Sequence, residues 1–359
     1  MPNLIYFSGM PLLDNQERLS KKISGLTDFV KIQKYFMLNV GIIDRSNTIQ
    51  NPFNSIITNP LPRFDTNFNL SYEESVMLRM SEIDKIYQSS HKKFRLFYSG
   101  GIDSTTILSG FIKYFGVSKT SKILEICCTP DSINENPWVW DRYILKENFK
   151  IKSSLDHPYM WEDNVLTIMG EGNDHIFGCL NGPWNRFAGE DNLYPSVDID
   201  LIIKFLLWSN KTSTIDDAEF TASEFIKLAD IAPFPVDNMY LFIWWYKFLL
   251  EWEGIMIRVL AQSTSVTASV KNLLQFYNTE DFQQWSMHFH RNHPTEFAES
   301  TNYKQECKKF ILKTLDVPEY AAKCKFTSWP RVHSLIPSGV IIDENFKIHR
   351  NTDDFLNFI

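Results

Sequence analysis

Two short stretches carry residue types suited to work on a polyphosphate. In FRLFYSGGIDSTT, Phe94 to Thr106, an apolar run of strand character enters a Ser99-Gly100-Gly101 loop. It leaves through Asp103 and Ser104 into an amphipathic helix. Small residues at a strand-to-helix turn let backbone N–H groups close on an anion, and the helix N-terminus adds positive dipole. The stretch reads as a phosphate cradle. It is spelled neither G-x-x-x-x-G-K-[ST] nor G-x-G-x-x-G, so it is not a Walker A loop or a dinucleotide fingerprint. The plainer alternative is an ordinary Gly-containing βα turn. The second stretch is MGEGNDHIFG, Met169 to Gly178, at the end of another apolar run. Taken alone, Gly170–Gly172 is also a simple turn. At the end of a later parallel strand, however, it comes beside the first loop, and Asp103 and Asp174 then face one site. Two carboxylates flanking a polyphosphate are what a hard Mg²⁺ ion needs, with phosphate oxygens and water completing its octahedron.

The elements that must position these residues are legible around them. Ser71-x-x-Glu74 forms a capping box, and Val76, Met80, Ile83 and Tyr87 share one helical face. After the loop, Ile107, Leu108, Phe111, Ile112 and Phe115 give a buried helix face that Gly116 stops. Lys122–Cys128 reads as a second strand, Trp138–Asn148 as a helix, Phe149–Ser153 as a third strand and Val165–Met169 as a fourth. Apolar strands alternating with helices predict an α/β fold, a parallel twisted sheet with helices on both faces, whose ligand lies beyond the strand C-termini. From about Pro195 the pattern becomes helical, giving an α-rich C-terminal half, with Trp244 and Trp245 read as core. Before the capping box, LIYFSG and YFMLNVGIID read as strands, Asp14–Lys34 as helical, and the Asn- and Pro-dense run Asn51–Asn69 as irregular. The chain divides into a short N-terminal region at 1–70, a main domain at 71–335 and a C-terminal tail at 336–359.

Composition narrows the function classes. With 359 residues, 44% apolar and 28 Phe, the chain can build a large core. A net charge of −7 and no Lys/Arg run longer than two argue against nucleic acid as partner. The five cysteines form no C-x-x-C, and adjacent Cys127 and Cys128 point to opposite faces of a strand, which fits a reducing compartment. MPNLIYFSGM has neither a basic start nor a long apolar core, and the apolar run Met239–Leu250 is too short to span a bilayer, so a cytoplasmic protein without membrane contact is expected. Of the scattered histidines, His288, His290 and His293 lie close together. Without a Cys or carboxylate at suitable spacing they read as a solvated helix end rather than a metal site.

The SGGIDS spelling resembles the pyrophosphate loop of the N-type ATP pyrophosphatases. Followed by GEGNDHIFG, it resembles the synthetase domain of asparagine synthetase and β-lactam synthetase, over roughly residues 70–330. The resemblance implies an adenine nucleotide alpha hydrolase-like fold with ATP and Mg²⁺. Ser99, Gly100, Gly101, Ile102, Asp103 and Ser104, with Gly170, would hold the nucleotide's phosphates; Asp103 and Asp174 would hold Mg²⁺; Glu171 would face the substrate's amino or acyl group. Met169, Asn173 and His175 stand where the family has Ser, Ser and Glu. Near the C-terminus, YKQECKKFIL followed by VPEYAAKCKF is similar to the family's closing segment and sets Lys325, in Lys323-x-Lys325, at the catalytic lysine. An ammonium there would stabilise charge built up on the transferring phosphorus; the plainer alternative is a solvated surface charge. Lys304 or Lys308 could supplement it, and the sequence does not choose.

Two departures qualify the likeness. The family's glutaminase domain needs a cysteine after the initiator Met, whereas here the second residue is Pro2 and the first cysteine is Cys127. Ammonia, a separate glutaminase or an amine on the substrate would supply nitrogen. Only about forty residues separate Asp131 from Glu171, where the family usually carries substrate-binding helices. Asp156, His157, Glu162 or Asp163 are the side chains available to replace them. The expected activity is adenylation of a small carboxylate, by default aspartate, followed by amide formation. The alternatives are a degenerate, non-catalytic homologue acting as a binding partner, and an ATP-dependent tRNA-modifying enzyme, which would want a cysteine pair and a basic face that the sequence lacks.

Overall fold

The computed structural model describes residues 3–36, 40–153, 162, 164–178, 181–189, 193–262, 272–295, 304–322 and 339–350. Its centre is a five-stranded parallel sheet of β2 (Lys93–Phe97), β3 (Leu124–Cys128), β4 (Lys150–Ser153), β5 (Val165–Met169) and β6 (Leu273–Gln275), preceded in the chain by β1 (Leu4–Phe7). The order is β4-β3-β2-β5-β6. Every residue of β3 and β5 is buried, as expected where a parallel sheet is covered. The four expected strands are all present. The fifth, β6, pairs Ile168 with Leu274; its three residues are too few to show a period of their own.

From β2 the chain builds outward to β3 and β4, then returns to the other side of β2 for β5 and β6. The direction of winding therefore reverses between β2 and β5, where loops diverge and open a crevice beyond the strand ends. The register there aligns Leu96 with Ile168, so the loops after the two strands leave the sheet side by side. In β2, Arg95 is wholly buried and bonds to Glu125 of β3 (2.7 Å) and to Glu162 (3.0 Å), and Lys150 also pairs with Glu125.

Helix α1 (Tyr72–Ser90) begins with both bonds of the expected capping box, Ser71 with Glu74. Helix α2 (Ile102–Phe115) ends at Gly116, as expected. The stretch expected as a helix over Trp138–Asn148 forms a short turn, Pro137–Val139, that widens into π-helix at Trp140–Leu145. YFMLNVGIID, expected as a strand, is not one over its described residues 35–36 and 40–44. Its amides are claimed singly: Gly41 donates to Phe7 O, Ile42 to the Gln33 side chain, and Ile43 to Leu250 O at a helix end. Apolar alternation was met by burial without a ladder.

A second, antiparallel sheet joins β1 to β7 (Ile341–Asp343) and β8 (Ile348–His349), in the order β1-β7-β8. The region before residue 70 and the segment after 336 thus meet in one sheet. Around it Phe7, Phe29 and Phe53 pack ring against ring at 5.1 to 6.1 Å. The helical half supplies α4 (Met239–Leu250) and α5 (Trp252–Ile257), after the four-residue α3 (Asn173–Ile176), then α6 (Glu280–Asn292) and α7 (Gln305–Thr314). Trp244 and Trp245 are buried, as expected. His290 is not at a solvated helix end: it is fully buried, stacked on Trp244 with ring centroids 4.0 Å apart, and its Nε2 bonds to Ile176 O at 3.0 Å. The helix period places residue 290 on the core side of α6, which a spacing-based reading of three histidines overlooks. Among the described residues, no helix is long and apolar enough to cross a membrane.

Candidate active site

The first loop is shaped by one glycine. Gly100 has φ +73°, and a Cβ there would lie 2.2 Å from Ser132 O, so neither the backbone nor the space admits a side chain. Ser99 and Ser104 brace the turn through their hydroxyls, 3.1 Å apart, while Ser99 N donates to Ser104 Oγ. Gly101 is the N-cap of α2 and provides no side-chain cap. A fourteen-residue helix therefore points its N-terminal amides and its positive dipole end at the crevice.

The second loop presses against the first. A Cβ on Gly170 would come within 3.2 Å of Asp103 Cβ, which is why a residue without one lies there. Beyond it, α3 presents Asn173 and Asp174. Asn173 Nδ2 donates to Asp103 Oδ1 at 2.6 Å. Its amide also closes a buried ring of hydrogen bonds: Asn173 Nδ2 to Cys307 Sγ (3.4 Å), Cys307 Sγ to the Tyr72 hydroxyl (3.0 Å), and that hydroxyl to Asn173 Oδ1 (3.2 Å). The Tyr277 hydroxyl holds the Asp103 carbonyl at 2.9 Å. Burial, then nearby Asp103, pushes the Cys307 thiol up to about 12, so it serves here as a neutral packing and hydrogen-bonding group.

The centre of the site is Lys304. Its Nζ stands 2.5 Å from Asp103 Oδ1 and 2.5 Å from Asp174 Oδ1, and the residue is 3% exposed. It is the N-cap of α7 and has φ +54°, an uncommon backbone conformation for a residue with a Cβ. Burial works against its charge most strongly, but Asp103 and Asp174 outweigh that and hold the ammonium well above its ordinary value. Burial likewise pushes the Asp103 carboxyl up while Lys304 draws it back. The Lys304 ammonium is thus held between the two carboxyl groups.

On the other side of the second loop, Glu171 accepts from Arg258 Nη2 at 2.6 Å. Burial disfavours the charge on Arg258, and Glu171 more than restores it. His175 Nε2 lies 3.1 Å from Glu251 Oε2, and Lys247 is 3.6 Å from the same carboxylate.

Of the expected site residues, Ser99, Gly100, Gly101, Ile102, Asp103, Ser104, Gly170, Glu171 and Asp174 come together at this crevice. Lys325, Lys323, Asp156, His157 and Asp163 lie outside the described residues. Glu162 pairs with Arg95 rather than standing free for a substrate. Sequence reasoning missed Arg258, Tyr72 and Tyr277, noted Asn173 only as a departure from the resembled motif, and left Lys304 undecided against Lys308. Arg258, Tyr72 and Tyr277 have no local signal, because each reaches the site from an element remote in the chain.

The donors suit a hard cation in kind, since two carboxylates with phosphate oxygens and water make a magnesium–nucleotide site. Oδ1 of each carboxylate is, however, engaged by Lys304. Among the described residues there is no group of three or more His, Cys, Asp or Glu side chains that could hold a metal on its own. A groove of about 490 Å³ lined by Val197, Ile226, Asp230, Phe234 and Val236 lies in the helical half and shares no residue with this crevice. Taken together, fold and site define an α/β protein with a charged crevice at the winding reversal of a parallel sheet. Comparison with family models, with curated proteins and with solved structures returned no match.

Proposed function

We propose that this chain is an ATP-dependent carboxylate–amine ligase of the asparagine synthetase kind, on an adenine nucleotide alpha hydrolase-like fold. The observation that carries the reading is the meeting of Asp103 and Asp174 on one buried lysine, beside an uncapped helix N-terminus. An anion-attracting helix end next to a carboxylate pair with its own counter-cation is the electrostatic equipment of phosphoryl chemistry.

In this reading the substrate carboxylate attacks the α-phosphorus of ATP and pyrophosphate leaves. Ammonia or an amine then attacks the acyl carbon and AMP leaves. The first-turn amides of α2 and the Lys304 ammonium hold the phosphates. Asp103 and Asp174 are the residues that would hold Mg²⁺, which when bound neutralises phosphate charge. Glu171, kept in place by Arg258, faces the acceptor, and Lys325 is proposed as the further cation over the transferring phosphorus. Aspartate is the default acceptor, with nitrogen from ammonia, an amine or a separate glutaminase.

The competing reading, a non-catalytic homologue acting as a binding partner, is favoured by the engagement of Glu171 with Arg258. One experiment separates them. The chain is incubated with ATP, Mg²⁺, ammonium and a panel of amino acids and small carboxylates, and pyrophosphate is measured. Pyrophosphate and AMP in step with an amide product support the ligase. ADP and phosphate would contradict the loop assignment, and no turnover with any acceptor would favour the binding partner.

A further inference from the structure

We infer that Lys304 is a tethered cation that occupies the divalent-ion position until a nucleotide arrives, so that the chain takes up Mg²⁺ with the triphosphate and not before it. The inference rests on the ATP-site reading above and adds an order of binding to it.

The geometry sets the two cations in competition for the same carboxylate oxygens. Mg²⁺ held by Asp103 and Asp174 would need carboxylate oxygens at the short range typical of that ion, about 2.1 Å. The Lys304 ammonium already lies 2.5 Å from Oδ1 of both. An ion at those oxygens would overlap it, and repulsion between the charges would oppose even a neighbouring position. In the absence of another anion, Lys304 has nowhere better to go: it is buried, and leaving would strand an ammonium away from the carboxylates that neutralise it. A triphosphate changes that balance, because it brings anionic oxygens to the N-terminus of α2 within the same crevice.

The carboxylate is held ready independently of the lysine. Asn173 donates to Asp103 Oδ1 at 2.6 Å, and Tyr277 holds the backbone carbonyl of Asp103. Asn173 is in turn held by Tyr72 and Cys307. When the lysine swings to a phosphate, Asp103 keeps its aim. The swing itself needs only the four-carbon stem, while the Cys307 thiol, one turn on in α7, keeps its bond to the Tyr72 hydroxyl.

The test is equilibrium dialysis of the full chain against Mn²⁺, with and without α,β-methylene-ATP, whose bridging carbon prevents cleavage at the proposed bond. The wild type is expected to retain Mn²⁺ only with the nucleotide. Lys304→Met should bind Mn²⁺ alone at least about tenfold more tightly than the wild type, an affinity difference well within the reach of dialysis. Lys304→Met combined with Asp174→Asn should lose that gain. Wild-type protein that binds Mn²⁺ equally well with and without nucleotide would overturn the inference while leaving the ATP reading intact. Failure to retain the nucleotide at all in the presence of Mn²⁺ would overturn the ATP reading itself. If Lys304→Met does not fold, the two wild-type measurements decide the matter.

Discussion

The side-chain amide of Asn173 donates to Oδ1 of Asp103 across 2.6 Å and ties the loop after β5 to the first turn of α2. Asn173 is wholly buried, and so are its partners Tyr72 and Cys307, which have no water to replace it. Asn173→Ala should cost about 1–3 kcal/mol, the scale of leaving buried polar partners unsatisfied. Asn173→Asp should cost more, since it sets a like charge beside Asp103. Denaturant midpoints of the two variants check the order.

Asp103→Asn and Asp174→Asn should each lower pyrophosphate release by about 100-fold or more, the scale lost when a charge stabiliser of a transition state is removed. Initial rates at saturating ATP and Mg²⁺ measure this. Wild-type rates in either variant would remove that residue from the proposed site.

Two of the left-handed glycines, Gly100 and Gly172, should differ in sensitivity. At Gly100 a Cβ meets the Ser132 carbonyl oxygen at 2.2 Å, and backbone cannot step aside. At Gly172, φ +90°, the one close approach is to the terminal methyl of Met256, at the far end of a flexible side chain, with Met256 Sδ and Trp252 at ordinary contact distance. Both substitutions by Ala carry about 1–2 kcal/mol of backbone cost, and Gly100→Ala adds about 1–3 kcal/mol of overpacking. Thermal unfolding of the pair should place Gly100→Ala lower.

His290 predicts a pH dependence. Burial lowers its pKa to about 3 against an ordinary value of 6.5. The unfolded chain therefore binds a proton below about pH 6.5 that the folded chain refuses. This stability is fully present above pH 6.5 and is lost as pH falls toward 3, by about 1.4 kcal/mol per pH unit. His290→Phe should flatten the slope between pH 6 and 4 while keeping the stack on Trp244. The Ile176 carbonyl would retain its bond from the Ser286 hydroxyl at 2.7 Å. Urea midpoints across that range test the difference.

The sequence alone determined what is local or periodic. Burial on both faces wrote β2, β3 and β5 as apolar runs, and the Ser71–Glu74 box and Gly116 marked helix ends through backbone groups a few residues away. The two glycine-bearing loops were legible because close backbone approach demands residues without a Cβ. Tertiary structure alone decided what fills the crevice. Lys304, Arg258 and Tyr277 come from segments 80 or more residues beyond the partners they bind, and Asn173 meets Tyr72 across 101 positions. Asn173 lies within the second loop and Lys304 within YKQECKKFIL, yet neither neighbourhood states the partner, because a side chain's role in a charged site depends on which charges the fold brings to it. The same holds for YFMLNVGIID and for His290: apolar pattern and histidine spacing predict burial or exposure only when the partner surface is known. The sequence placed two carboxylates at one sheet edge, and only packing set a lysine between them.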